Sequence, residues 1–375
     1  MGDANQRTID AAHENGFALV GFARVRRLSE RVDFYRRWLD AGRHGTMAYL
    51  EREPERRFEP RRLDPRIRSV VSLGYPYHSP APPTVDWRSE LRGRIAAYAL
   101  GPDYHEVVLK KARRVADTIP ALWPGAMTRV YVDTGPVFER EWAAEARLGW
   151  FGKNTMALNR SLGSYFFLAE IFTDAEFEPT GGPHREYCGR CTRCLDLCPT
   201  AALAEGYVME SRRCISYLTI ENRGPIAPEL RPALGNWIFG CDVCQEVCPW
   251  NAPFTERAAP ELLPYLPELM ELDETGFSRR FAKSAIKRAK RRGLLRNVAV
   301  ALGNSGNPDA VPVLARSLEY EAEPLIRAHA AWALGRLGGG AARHALERAR
   351  GREFDGSVVA ELENALAGEP SGLRL

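Results

Sequence analysis

The sequence has no cysteine before Cys188 and none after Cys248, yet eight lie between those two positions. Disulfides that staple a secreted protein join distant segments, so this distribution argues against such a framework. Long apolar runs are also missing. A membrane-spanning helix needs roughly 18 consecutive apolar residues, and the nearest approach is the short stretch Tyr165 to Phe172. The first ten residues are polar, without the apolar core of a secretory signal, and Gln6 stands where a myristoylation motif wants Ser or Thr. A cytoplasmic protein with no membrane role is expected. Charge of one sign is not in strong excess: 52 Lys and Arg face 48 Asp and Glu, a net +4, which does not by itself mark a nucleic-acid binder. What remains is a 375-residue chain, 45% hydrophobic and 27% charged. That is neither disordered nor fibrous, and at about 150 residues per domain it holds two to three domains.

Clustered thiols in a reducing compartment point to metal, and their spacing selects which metal. Cys188, Cys191, Cys194 and Cys198, followed by Pro199, make the C-x2-C-x2-C-x3-C-P run of bacterial ferredoxins, whose fourth cysteine ligates the other cluster. Cys241, Cys244 and Cys248, followed by Pro249, repeat its ending, and Cys214 completes the second set. The expected partition is Cys188, Cys191, Cys194 and Cys248 on one [4Fe-4S] cluster, with Cys198, Cys214, Cys241 and Cys244 on the other. Two tetrathiolate zinc sites are the bland alternative. Zinc ribbons, however, use separated C-x2-C pairs, whereas three cysteines at successive spacings of three suit a loop wrapped around a cubane corner.

Before the cysteines, helical and strand-like stretches alternate. Helices are expected over 9–16, 28–41, 104–119 and 138–148, and strands over 17–22, 69–75, 128–132 and 164–172. The strand over 128–132 runs into the turn sequence Asp133-Thr134-Gly135-Pro136. The expected fold class is α+β, in three domains. Residues 1–177 form an α/β-type domain large enough to hold a cofactor, residues 178–258 a ferredoxin-like double-cluster domain, and residues 259–375 an all-α, HEAT-like repeat.

In the last of these, nine Lys or Arg and no acid lie between Arg279 and Arg296. The rest of the chain is therefore net acidic, and this block is a candidate phosphate-binding face rather than a merely solvated one. Lys287, Arg288, Lys290, Arg291, Arg292 and Arg296 are its expected nucleic-acid contacts. It opens a repeat: Leu295-Arg296 leading to Ala301-Leu302-Gly303 recurs as Ile326-Arg327 leading to Ala333-Leu334-Gly335.

Taken together, 130–136 (VYVDTGP), 148–155 (LGWFGKNT), both cysteine groups and 214–221 (CISYLTIE) resemble the epoxyqueuosine reductases over nearly the whole chain. The resemblance implies reduction of the epoxide of epoxyqueuosine, at the wobble position of a tRNA anticodon, to the alkene of queuosine. It also implies a cofactor set of two [4Fe-4S] clusters and cobalamin, with cobalamin pooling as an electron pair what the clusters deliver singly. By resemblance the proton donor falls on Asp133, whose carboxyl is expected to be desolvated with a raised pKa. Alone, the D-T-G-P sequence reads as an ordinary turn. Arg57, Tyr98, Asp133, Lys153, Asn154 and Ser216 are the expected cobalamin contacts. The D-x-H-x-x-G signature starts at Asp103-Tyr104-His105 but fails at Val108, so base-off cobalamin without a protein imidazole on cobalt is expected. Trp150, Phe151, Phe166 and Phe167 read first as core and second as a platform for a splayed base. The expected partners are the tRNA anticodon stem-loop and an external flavodoxin or ferredoxin, and the chain is expected to be a monomer. The competing readings are a reductive dehalogenase-like enzyme, an electron-transfer subunit, and a repeat that binds protein rather than RNA.

Overall fold

The computed structural model describes residues 2–77, 79–81, 85–257 and 263–368. They divide into two compact units. One comprises Met1–Ser79, Gly101–Glu210 and Val243–Glu256, the other Pro80–Leu100, Ser211–Asp242 and Arg257–Leu375. The three consecutive domains expected from the sequence do not coincide with these units, and the expected boundary at 258–259 lies outside the described residues. The expected cysteine domain is divided: 178–210 and 243–256 belong to the first unit and 211–242 to the second.

The first unit is built on a four-stranded antiparallel sheet ordered Leu19–Arg24, Ser69–Pro76, Phe166–Thr173, Thr128–Tyr131. Alternation along the strands divides the side chains between two faces. Val71, Leu73, Ala169 and Ile171 pack with Phe17, Val108, Ala112 and Val115, which brings the amphipathic helix Tyr104–Ala116 onto one face. Val70 and Phe172 pack with Trp142, Ala143 and Leu148, which brings the short helix Glu139–Glu145 onto the other. Ser72 and Glu170 stand opposite one another in the register on that second face. Asp103 caps the helix Tyr104–Ala116 by accepting from the His105 backbone N–H. Both the cap and the turn after Tyr131 therefore sit where strands and helices end, the usual place for chemistry.

The second unit is a stack of helices, among them Lys290–Ser305, Val311–Tyr320, Pro324–Leu337, Gly339–Arg350 and Gly356–Ala367. The two copies of the sequence repeat are Lys290–Ser305 and Pro324–Leu337, and Gly303 fits because a Cβ there would lie 2.8 Å from Ala333. A polar network ties the irregular segment 211–242 to the stack. Arg296 donates to the carbonyls of Leu218, Asn222 and Gly224. Asn297 donates to the carbonyls of Thr219 and Ile238, and Asn304 to those of Arg231 and Gly235. Carbonyls in the last turn of a short helix and in the connections beyond it need partners when buried, and these side chains supply them.

Candidate active site and cluster cavity

Asp133 lies two residues beyond the strand Thr128–Tyr131, in a left-handed conformation, φ +56°. Its Oδ2 lies 2.9 Å from the Tyr104 hydroxyl and 2.9 Å from His105 Nε2, while His105 Nδ1 lies 2.7 Å from Asp103 Oδ1. With a carboxylate oxygen facing each ring nitrogen, the imidazolium form donates in both directions. Burial opposes that charge, but the two carboxylates outweigh it and raise the His105 pKa. Tyr104 is fixed from its other face by stacking on Phe167, centroids 4.4 Å apart.

The Asp133 side chain is 58% exposed in the protein alone, so the desolvation expected of it would come from the corrin. Two neighbouring carboxyls are raised. Glu139, whose Oε1 accepts the Asp133 backbone N–H, is pushed up to about 8 by burial and then by the Asp133 charge. Glu170, hydrogen-bonded to Ser72 Oγ at 2.9 Å, is pushed well up by burial and then by Glu139. Sequence reasoning missed Tyr104, His105 and Glu139. The Asp-Tyr-His triplet at a helix start was a usable signal, since a cap residue and its i+2 neighbour share one turn; Glu139 gave none.

Cys188, Cys191, Cys194 and Cys248 line one cavity with Lys153, Asn154, Arg193 and Trp250. Four thiols from two distant segments around a common space fit the first expected cluster, and all are free. Burial, then the crowding of Cys188, Cys248 and Cys191, pushes Cys194 up to about 11, so ionising them together needs compensating cations such as iron. Of the second set, Cys198 and Cys244 belong to the first unit, and Cys214 and Cys241 to the second.

Lys153 and Asn154, expected at a corrin edge, are engaged with the thiol segments. Lys153 Nζ donates to the carbonyls of Gly189 and Cys191 at 2.6 and 3.1 Å, and Asn154 Nδ2 to that of Cys244 at 3.2 Å. Arg57 is 9% exposed, with Nη1 on the Gly135 carbonyl, Nη2 on the Tyr49 carbonyl and Nε buried without a partner. Tyr98 and Ser216 belong to the second unit: Tyr98 packs near Phe239, and Ser216 lies in the helix Ile215–Ile220 beside Cys214. Trp150 and Phe166 are core. Phe151 sits between the Arg31 and Arg140 guanidinium groups, and Phe167 supports Tyr104.

In the second unit, a groove is lined by Lys287, Lys290, Arg291, Arg292, Glu274, Glu321 and Glu323. Lys287, Arg288, Lys290 and Arg292 are exposed. Three arginines are paired: Arg288 with Glu221, Arg291 with Glu321, and Arg292 with Glu323. Arg296 departs from expectation. It is fully buried and spent on backbone carbonyls, so no phosphate reaches it. Burial, then Arg223 and Arg292, pulls it down to about 9.

Comparisons with known proteins agree with this layout. The 4Fe-4S double cluster binding domain matches residues 187–251, HEAT repeats match 280–367, and the epoxyqueuosine reductase QueG domain matches 57–134. The chain is 41% identical to the epoxyqueuosine reductase of Pseudomonas aeruginosa, over 88% of this chain and 93% of that one. With the Escherichia coli K12 enzyme of the same name it is 39% identical over 86% of each. A crystal structure of epoxyqueuosine reductase with a tRNA-Tyr epoxyqueuosine-modified stem loop superposes with TM-score 0.90 and 31% identity, covering 97% of this chain and 98% of that one. The Bacillus subtilis enzyme, in a structure with its catalytic aspartate loop swung out of the active site, gives 0.87 and 30%, covering 97% and 98%. With thiol cavity, Asp133 site and helical repeat all present, and curated relatives near 40% identity along most of their length, the chain belongs to the epoxyqueuosine reductase family.

Proposed function

We propose that the chain reduces epoxyqueuosine in tRNA to queuosine, with two [4Fe-4S] clusters feeding a bound base-off cobalamin and Asp133 delivering a proton. One observation carries this reading beyond family membership. Segment 153–155 joins the thiol cavity to the Asp133 turn: Asn154 holds the Cys244 carbonyl, the Thr155 carbonyl accepts from Arg140, and the adjacent Glu139 accepts the Asp133 N–H. An electron-storing site and a proton-donating site are thus built on one connected piece of chain.

The overall step takes two electrons and two protons: both C–O bonds of the epoxide break, an alkene forms and the oxygen leaves as water. When bound, cobalamin supplies a centre able to hold an electron pair, which no single cluster does. The unpartnered Arg57 Nε fits an acceptor at the edge of such a cofactor. Asp133 Oδ2 presents the proton to the departing oxygen, and His105, held by Asp103, restores it. The exposed Lys287 and Lys290 bind the tRNA backbone, joined by Arg288 and Arg292 where their carboxylate partners yield. The external electron donor is a flavodoxin or ferredoxin, and the enzyme acts as a cytoplasmic monomer; no helix among the described residues is long and apolar enough to cross a membrane.

The test is electron paramagnetic resonance of the anaerobically reconstituted protein with cob(II)alamin. Conversion of the cobalt signal to the base-off form is expected. Cluster signals with cobalamin left free in solution would reduce the chain to an electron carrier.

A further inference from the structure

We infer that Glu139 and Arg57 are positioning residues that clamp the Asp133-Thr134-Gly135 turn at its two ends and so fix where the Asp133 carboxyl points. Within the turn, the Thr134 N–H and hydroxyl donate to the Val132 carbonyl, and the clamps act on either side of that contact. Asp133 sits at φ +56°, a region that a residue with a side chain occupies only when its surroundings impose it. At one end the imposed contact is the Glu139 carboxylate on the Asp133 N–H. At the other, Arg57 Nη1 donates to the Gly135 carbonyl at 3.1 Å while Nη2 anchors the guanidinium on the Tyr49 carbonyl. Gly135 also packs flat against Tyr131, where a Cβ would come within 2.5 Å of the ring.

Both clamping side chains are costly to withdraw from water, Arg57 at 9% exposure and Glu139 half-buried, which marks their placement as more than packing. The charges that act on Glu139 are those of Asp133, Arg140 and His105, and Glu139 in turn acts on Glu170. Two interacting carboxyls withdrawn from water cost stability. What is gained in return is an acceptor fixed on a backbone N–H in a left-handed turn. Arg57 likewise reaches across the unit with a planar fork that lysine cannot reproduce.

The catalytic weight of this clamp rests on Asp133 being the proton donor; its structural weight does not. Two readouts therefore go together. Hydrogen exchange of the 131–137 segment is followed in the full chain with its clusters, for wild type, Glu139→Ala, Glu139→Gln and Arg57→Lys. Glu139→Ala and Arg57→Lys should exchange the 133–135 amides about tenfold faster, with iron content unchanged, whereas Glu139→Gln, which keeps an acceptor oxygen, should stay close to wild type. In turnover, Glu139→Ala should lower kcat with KM for the tRNA unchanged. If Glu139→Ala fails to fold, Arg57→Lys alone decides the exchange result. Unchanged exchange in the folded variants, or Glu139→Gln exchanging as fast as Glu139→Ala, overturns the clamp whatever the turnover shows. Faster exchange with an active Asp133→Asn enzyme upholds the clamp and removes the proton-donor reading instead.

Discussion

Replacing Arg296 with methionine separates a buried structural arginine from a nucleic-acid contact. In the folded chain this side chain is completely buried, with Nη1 on the carbonyls of Asn222 and Gly224 at 2.9 and 2.6 Å and Nη2 on that of Leu218 at 2.6 Å. Methionine is apolar and leaves three backbone carbonyls and Asn297 Oδ1 without their donor. At about 1–3 kcal/mol for each orphaned buried group, the gross loss is about 4–12 kcal/mol. Part of it is returned, because methionine does not bury a charge, and the downward pull on this guanidinium shows that its burial is costly. A net loss of about 2–4 kcal/mol results, which lowers the melting temperature of a helical body this size by roughly 5–15 °C. Thermal melting followed by far-ultraviolet circular dichroism measures it, with tRNA affinity determined well below the transition. Lys287→Ala, at an exposed site, should melt within a degree or two of wild type. Arg296→Met melting like wild type while losing tRNA affinity would refute the reasoning and return Arg296 to the binding face.

Three further outcomes follow from the same geometry. Lys287→Ala with Lys290→Ala should reduce the slope of log affinity for tRNA against log salt by roughly two, one per lost phosphate contact, whereas a slope unchanged would make these lysines a solvated face. Cys194→Ser should drop anaerobically reconstituted iron from about eight to about four per chain, the loss of one [4Fe-4S] cluster; zinc in place of iron in the wild type would contradict the cluster assignment. Because Glu139 is raised from 4.5 to about 8, the folded chain keeps a proton there that the unfolded chain loses. Its stabilising contribution is full below about pH 4.5 and falls away as pH rises towards 8, by no more than about 5 kcal/mol. The raised His105 adds a loss of the same sign from about pH 6.5 upward. Urea midpoints across this range should fall less steeply in Glu139→Gln, and equal slopes would remove Glu139 as the cause.

The elements of the sheet were legible because each strand is short, apolar and bounded by turn residues: the expected strands over 69–75 and 128–132 lie within one residue of Ser69–Pro76 and Thr128–Tyr131. The spacing put Cys248 with Cys188, Cys191 and Cys194, and these four line one cavity. What failed depended on tertiary placement. Arg296 was counted with its basic neighbours although it opens an otherwise uncharged stretch, Leu294 to Leu302, the mark of a helix buried on all sides. Lys153 and Asn154 were expected as cobalamin contacts, and nothing in the sequence marked the carbonyls of the cysteine segments that folding turns them onto. The desolvation expected at Asp133 was that of an adjoining corrin; what the sequence did not reveal is that the fold buries Glu170, half-buries Glu139 and gives Asp133 a histidine.

The most direct test is anaerobic single turnover on tRNA carrying epoxyqueuosine, with reduced clusters and cobalamin supplied and the nucleosides resolved by mass spectrometry. The wild-type chain should yield queuosine, one oxygen lighter, while Asp133→Asn should retain its iron and its cobalamin signal and leave epoxyqueuosine unchanged. Epoxyqueuosine left intact by a wild-type chain fully loaded with iron and cobalamin would contradict the account.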